Sequence, residues 1–209
     1  KYNGTDPVSA LGTGIDKVLN IGEVIDFESD SADYGLTDFG GATSSIVVDP
    51  TDSSNKAVSI TKNAGSDDWA GTSVASGSIF YPLTSSETGI TVRVWSPAAG
   101  VQVKIKLEES GDTSKHVETD AITSVSSGWE TLTFDFRNHS EGTPALNTSY
   151  VFDNLIIYMN YGVVGSDEVY YFDDIKFIGA VPLDVTASSL VGNWKMAPEA
   201  GAFSVGPNA

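Results

Sequence analysis

Residues 101–108 alternate strictly between apolar and polar side chains, and this period of two constrains the fold more than any other feature of the sequence. In an extended strand such a period places the apolar side chains on one face and the polar side chains on the other. It is typical of an antiparallel sheet that packs one face on a core and exposes the other to solvent. Shorter runs of the same kind recur along the chain and are separated by turn residues such as Asp49-Pro50.

Ten short strands are predicted in this way, and residues of the types Gly, Pro, Asp and Asn lie between them. They span residues 24–28, 45–48, 57–61, 69–74, 90–95, 101–108, 116–123, 130–136, 155–161 and 170–177. Stretches rich in Ala, Leu and Glu with a 3.6-residue period are nearly absent, so no long helix is expected. The predicted fold class is therefore all-β, an antiparallel β-sandwich of the jelly-roll kind.

The strand pattern predicts one sandwich domain over residues 22–180, with a different composition on either side. Residues 1–21 have weak periodicity and are interpreted as a leading segment or linker. Residues 181–209 are too short for a core of their own, so they are interpreted as a linker or tail toward a following module. The start at Lys1 suggests a mature or excised fragment. No apolar run reaches about 18 residues, so no membrane span is expected.

The formal net charge is −17 and the chain contains no cysteine. Nucleic acids and anionic membranes attract proteins through Lys and Arg, so this charge argues against both as partners. A chain without cysteine can form neither a disulfide nor a thiolate metal site. Carboxylates can bind calcium instead, which is another way to stabilise an extracellular domain.

Five segments carry a resemblance to a known family. In chain order they are Asp26-Phe27-Glu28, Trp69-Ala70-Gly71-Thr72, residues 96–108, residues 129–136 and Tyr171-Phe172-Asp173-Asp174-Ile175. In this order they resemble the carbohydrate-binding modules of the family 4, 16 and 22 type, as found in polysaccharide-degrading enzymes and surface glycan-binding proteins of marine bacteria. The resemblance covers roughly residues 22–180. It implies a β-sandwich with structural calcium and an aromatic-lined glycan site, located outside the cell or on its surface and joined to catalytic or surface-anchoring modules.

The resemblance also implies which residues hold the calcium ion. Glu28 of the first strand, Asp173 of the last strand and a backbone carbonyl near Lys56 are the implied ligands. Asp26 is a further candidate, because alternation places it on the same side of its strand as Glu28. Calcium takes about six to eight hard oxygen ligands in flexible geometry, which carboxylates and carbonyls supply. The alternative is that these acids are solvated or paired with lysine.

The candidate ligand-binding residues are polar or aromatic side chains predicted to point away from the core. They are Trp69, Arg93, Trp95, Lys104, Lys106, Glu118, Tyr158 and Asn160, and all but Trp69 are expected to share one sheet face with Gln102 and His116. A tryptophan among planar polar groups can stack on a sugar ring. The alternative is a solvated face with Lys–Glu pairs such as Lys106 with Glu118. Trp69 could equally belong to the core, and Trp129 is predicted to cap the core.

No catalytic set is predicted. Family 16 glycoside hydrolases are jelly rolls with a Glu-x-Asp-x-Glu strand, but here Glu23 falls on the opposite face from Asp26 and Glu28. The chain has two histidines and no Gly-x-Ser-x-Gly nucleophile motif. A polysaccharide lyase or hydrolase stays open as an alternative because His116 and Tyr158 could mimic a lyase pair.

The sequence therefore predicts a non-catalytic module that binds an extracellular, marine or algal polysaccharide. A neutral polymer such as a β-1,3-glucan is favoured, because the net charge of −17 repels polyanions. An acidic or sulfated algal polysaccharide remains an alternative, since Arg93, Lys104 and Lys106 concentrate basic charge. A structural or adhesive spacer that binds no glycan is the third possibility.

Overall fold

β-Strands make up all the regular structure of the residues that the computed structural model describes, which are 17–18, 22–29, 34–74 and 79–179. The strands are β1 Lys17–Val18, β2 Val24–Ile25, β3 Thr37–Phe39, β4 Ala42–Val48, β5 Lys56–Lys62, β6 Gly71–Val74, β7 Ile79–Phe80, β8 Gly89–Ser96, β9 Gln102–Glu109, β10 Asp112–Ile122, β11 Gly128–Asp135, β12 Asn154–Met159 and β13 Glu168–Gly179. All ten predicted strands are found. β1, β3 and β7 were not predicted, because each has three residues or fewer and shows no readable period.

Two antiparallel sheets form the fold. The five-stranded sheet has the order β10-β9-β12-β6-β3, and the six-stranded sheet has the order β11-β8-β13-β5-β4 with β2 added on β13. β1 and β7 form a separate parallel pair. The prediction of an all-β antiparallel sandwich of the jelly-roll kind is confirmed.

The core lies between the two sheets and follows the alternation seen in the sequence. Val103, Ile105 and Leu107 of β9 are fully buried, and so are Val92 and Val94 of β8 in the opposite sheet. Burial of each such side chain contributes about 1.5–3 kcal/mol to the stability of the folded state. Phe27 enters this core as predicted.

The outer segments were assigned from composition, and nearly all of their residues lie outside the described part of the chain. This holds for residues 1–21 apart from Lys17–Val18 in β1, and for residues 181–209 with Trp194. In the described part there is no helix with the length and apolar character needed to cross a lipid bilayer.

Candidate functional site

The outer face of the five-stranded sheet brings several of the predicted residues together. Lys104 and Lys106 of β9 point away from the core, since their neighbours Val103 and Ile105 are fully buried. The strand register places Tyr158 of β12 beside Lys104. On the other side of β9, Glu118 of β10 lies beside Lys106. Alternation therefore predicted these four positions on one face correctly.

Four aromatic side chains form a row on this face, which we call the aromatic row: Trp69, Phe39, Tyr158 and Tyr161. The Trp69 and Phe39 rings are stacked, with centroids 6.0 Å apart and an interplanar angle of 13°. Tyr158 packs edge-on against Phe39 and against Tyr161, with 5.6 Å between centroids in both pairs. Trp69 is 47% exposed, so the row ends in an indole ring that a ligand can reach.

Gly71 makes the centre of the row possible. It lies in β6, directly opposite Phe39 of β3. A Cβ atom at this position would lie 2.6 Å from the carbonyl oxygen of Ile157, 3.0 Å from the Phe39 ring and 3.1 Å from the Tyr158 ring. Real Cβ atoms do not approach backbone so closely, so only glycine lets the Phe39 and Tyr158 rings meet.

A polar cleft of about 640 Å³ adjoins the Tyr161 end of the aromatic row. Its lining residues are Gln102, Lys104, His116, Glu118, Asp120, Ser140, Glu141, Gly142, Thr143, Pro144 and Tyr161. The Lys104 ammonium group lies 4.3 Å from the centre of the Tyr161 ring and so joins the cleft to the row. The Gln102 amide donates to Asp120 Oδ1 at 3.0 Å, which fixes two planar polar groups on the cleft floor.

Both lysines of this face are neutralised by carboxylates. Lys104 is 4% exposed, and its Nζ lies 2.9 Å from Glu118 Oε2 and 3.7 Å from Asp120 Oδ1. Lys106 Nζ lies 2.6 Å from Glu108 Oε2, so Lys106 pairs with Glu108 rather than with Glu118. The face therefore offers hydrogen-bonding groups to a ligand but little free positive charge.

Arg93 and Trp95 lie on the other side of the sandwich. Their phase in β8 is as predicted, because Val92 and Val94 point into the core. However, β8 belongs to the six-stranded sheet, whereas Lys104 and Tyr158 belong to the five-stranded sheet. The prediction that all these residues share one face is wrong, because alternation shows which side of a strand is buried but not which sheet contains it.

Arg93 is the centre of a buried ion-pair cluster on that opposite face. Its guanidinium lies 3.1 Å from Asp49 and 3.2 Å from Asp173, and both carboxylates are nearly inaccessible to solvent. The Trp129 ring covers the guanidinium at 4.0 Å from Cζ to centroid, and its Nε1 donates to Asp49 Oδ1 at 3.1 Å. Trp129 is half-buried and covers this cluster, so the prediction that it caps the core is wrong.

The two carboxylates of the cluster respond differently to burial. Burial favours the neutral form of Asp49, but hydrogen bonds from Thr51, Trp129 and Asn55 outweigh it and lower the pKa of Asp49 to about 2. Burial dominates at Asp173 and raises its pKa, although Asn55 and the Asp174 N–H donate to it. Asp49 is therefore the firmly ionised partner of Arg93, and the cluster is a structural feature of the six-stranded sheet.

Asn160 does not lie on the predicted ligand face. β12 ends at Met159, and Asn160 has a φ of 49°, in the left-handed region. Its backbone carbonyl accepts a hydrogen bond from Lys62 Nζ at 2.8 Å. The strand was predicted to continue through residue 161, and this turn was not visible in the hydrophobic pattern.

Only some of the implied calcium ligands lie close together. Lys56 N donates to Glu28 Oε1 at 2.7 Å, but Asp26 is exposed and accepts from Glu28 N within its own segment. Asp173 is engaged by Arg93 and Asn55. Among the described residues, no group of three or more His, Cys, Asp or Glu side chains is placed to hold a metal ion. The fit to calcium is therefore limited to Glu28 and nearby carbonyls, because both carboxylate oxygens of Asp173 already accept hydrogen bonds.

No protein-family model matches the chain, and no curated protein sequence matches it. The solved structures similar to it include the family 11 carbohydrate-binding module of a cellulosomal cellulase of Clostridium thermocellum, at 17% identity and a TM-score of 0.49 over 78% of this chain and 98% of that one. A CBM22-1 xylan-binding domain of Paenibacillus barcinonensis Xyn10C has 15% identity and a TM-score of 0.47 over 77% and 98%.

An arabinose-bound α-L-arabinofuranosidase is also similar, at 10% identity and a TM-score of 0.45 over 68% of this chain. The chain spans only 22% of that enzyme. Carbohydrate-binding modules, the kind of protein that the sequence resembles, are thus among the similar solved structures. At these identities and TM-scores the similarity transfers no ligand and no residue role.

Proposed function

We propose that this chain is a non-catalytic module that binds a neutral, hydroxyl-rich polysaccharide along the outer face of the five-stranded sheet. The observation that carries the proposal is the aromatic row, which runs from the exposed Trp69 into a polar cleft. An aromatic ring can stack on the C–H face of a sugar. The amide and carboxylate groups of the cleft can accept hydrogen bonds from the hydroxyl groups of the sugar.

A neutral ligand is favoured over an acidic or sulfated one by the charges of the face. Lys104 and Lys106 are both paired with carboxylates, and the third predicted cation, Arg93, lies on the opposite sheet. Glu141 adds a further negative charge to the cleft. A polyanion approaching this face would meet excess negative charge on a chain of net charge −17. A β-1,3-glucan is an example of the neutral class that we propose.

The lyase alternative finds less support in the surroundings of His116. Its Nδ1 faces the carbonyl oxygen of Thr113 at 3.1 Å, and its Nε2 lies 3.7 Å from Glu118. These contacts orient His116 toward its own strand and its acidic neighbour.

From the resemblance alone, we propose that the module works outside the cell, next to catalytic or surface-anchoring modules.

Affinity electrophoresis tests the proposed function. We expect the protein to be retarded in gels that contain a neutral β-glucan and to migrate normally in gels that contain a uronate or sulfated polymer, because the face is acidic and aromatic. A non-binding protein of similar charge serves as the mobility control. Retardation by polyanions alone would contradict the neutral class, and normal mobility across a broad glycan panel would favour the spacer. Release of reducing sugar from the bound glycan would reveal a hydrolase.

We also propose a structural calcium ion beside Glu28. Its support is that Glu28 contacts Lys56 and that Asn55, the neighbour of Lys56, donates to Asp173 at 2.9 Å, so the implied ligands occupy one region. A ligand that binds only the folded state stabilises it by about 2.7 kcal/mol at a hundredfold excess over Kd. For a domain of this size that is roughly 5–10 °C in Tm.

Dialysis against EDTA is therefore expected to lower the Tm by several degrees, and added calcium is expected to restore it. A parallel dialysis with magnesium controls for nonspecific ionic effects. An unchanged melting curve, together with no metal detected in the purified protein, would show that Arg93 and the hydrogen bonds hold this region without calcium.

A further inference from the structure

Lys62 is a buried lysine at the end of β5 and was not among the predicted site residues. It is 1% exposed, and its Nζ donates to two backbone carbonyls, those of Asp68 at 2.9 Å and Asn160 at 2.8 Å. Burial lowers the pKa of Lys62. A buried ammonium group is unfavourable unless it is hydrogen-bonded, so an apolar residue would serve better if only core packing were needed.

The two carbonyls belong to loops that are hydrogen-bonded to each other, residues 63–70 and 160–167, which we call the paired loops. Gly162 N donates to the Asp68 carbonyl at 3.0 Å, so this oxygen accepts from both Gly162 and Lys62. Gly165 accepts from Gly65 and donates to Ser66, at 2.8 and 3.2 Å. A Cβ atom at Gly165 would collide with Ser66 Oγ, so the two loops lie as close together as glycine permits.

The paired loops carry both ends of the aromatic row. Trp69 directly follows Asp68, and Tyr161 directly follows Asn160. The Lys62 ammonium group is therefore bonded to the peptide unit on the N-terminal side of each ring. Neither Trp69 nor Tyr161 lies in a strand, although the Tyr161 N–H donates to the Gln102 carbonyl of β9 at 3.0 Å. The position of the Trp69 ring relative to Tyr161 therefore depends on the contacts between the paired loops.

We propose that Lys62 is a positioning residue for ligand binding. Its ammonium group fixes the paired loops against each other, and so sets the separation between Trp69 and Tyr161 to which the ligand is matched. This inference rests on the proposed function, since it assigns Lys62 a role in the same site. Lys62 itself is buried beneath the face and acts only through the two loops.

The test is the variant Lys62→Met, which keeps the length of the side chain and removes its donors. We expect the affinity for a neutral β-glucan, measured by isothermal titration, to fall by about tenfold or more. We also expect faster hydrogen exchange at the Gly162 amide, because its acceptor loses the second bond that holds it in place. The control is Phe177→Leu, a core substitution in the six-stranded sheet that lowers the Tm without touching the paired loops.

The outcomes separate this inference from the proposed function. Weaker binding and faster Gly162 exchange in Lys62→Met, with neither change in Phe177→Leu, would support the positioning role. Unchanged affinity or unchanged Gly162 exchange in Lys62→Met would overturn it, as would an equal loss of affinity in Phe177→Leu. If the wild-type protein binds no glycan, the proposed function fails, and the exchange rate alone decides whether Lys62 fixes the loops.

Discussion

Replacing Trp69 with alanine is expected to weaken glycan binding by about thirtyfold or more while changing the Tm only slightly. Loss of a main aromatic anchor costs about 2 kcal/mol or more of binding free energy. Trp69 is 47% exposed, and among the aromatic residues that the structure describes it stacks on Phe39 alone, so its removal leaves the sandwich core intact. Isothermal titration and a melting curve on the same preparation measure both quantities.

Trp95→Ala is the matched control for this prediction. Trp95 lies on the opposite sheet and packs edge-on against Tyr171, with 5.4 Å between centroids. We expect this variant to keep full affinity and to lose about 1–3 kcal/mol of stability, since the ring is partly buried. The reverse result, with binding lost in Trp95→Ala and kept in Trp69→Ala, would move the ligand site to the six-stranded sheet.

The largest loss of stability is expected for Arg93→Met. This change leaves the buried carboxylates of Asp49 and Asp173 without a cation, and breaking one side of such a pair costs about 3–5 kcal/mol. In a domain of this size the Tm should fall by roughly 10 °C. Glycan affinity should be unchanged at temperatures where the variant is folded, because the cluster lies on the opposite face.

The pH dependence adds a second check on the Arg93 cluster. Without the guanidinium, the pKa of Asp173, which burial already raises, should rise further, whereas the hydrogen bonds from Thr51, Trp129 and Asn55 still hold the pKa of Asp49 low. The loss of stability in Arg93→Met should therefore become smaller as the pH falls through the carboxyl range.

Lys115→Met is the control, because it removes only the surface ion pair with Glu109. It should cost at most about 1 kcal/mol of stability. Equal Tm values for Lys115→Met and Arg93→Met would contradict the role of the cluster.

Alternation predicted which side chains leave the core, but not the sheet to which each strand belongs. Val92 and Val103 both point inward as expected, and Trp95 and Lys104 both point outward. β8 and β9 are consecutive in the chain, yet β8 pairs with β11 and β13 while β9 pairs with β10 and β12. The chain crosses between the sheets at residues 97–101, and a turn with proline and glycine is compatible with a hairpin as well as with a crossover.

Half of the aromatic row could not be predicted for a different reason. Phe39 lies in a three-residue strand that is too short to show a period. Tyr161 was placed at the end of the predicted strand 155–161, where alternation sets it on the opposite side from Tyr158, but β12 ends at Met159 and a turn at Asn160 follows. What brings Phe39 to Tyr158 is the long-range register with Gly71. Lys62 was not predicted because its ammonium group binds backbone carbonyls. Backbone acceptors cannot be recognised from the residue types in the sequence.

The Arg93 cluster and the aromatic row lie on opposite faces. Substitutions in one are therefore expected to leave the other unchanged. Sheets of a sandwich lie about 10 Å apart, and effects of substitutions at that separation usually add within about 0.5 kcal/mol. A library randomised at Trp69, Gln102 and His116 should therefore yield new glycan specificities without repeated losses of foldability. Gly71 should stay fixed in such a library, because any side chain there would push the rings apart.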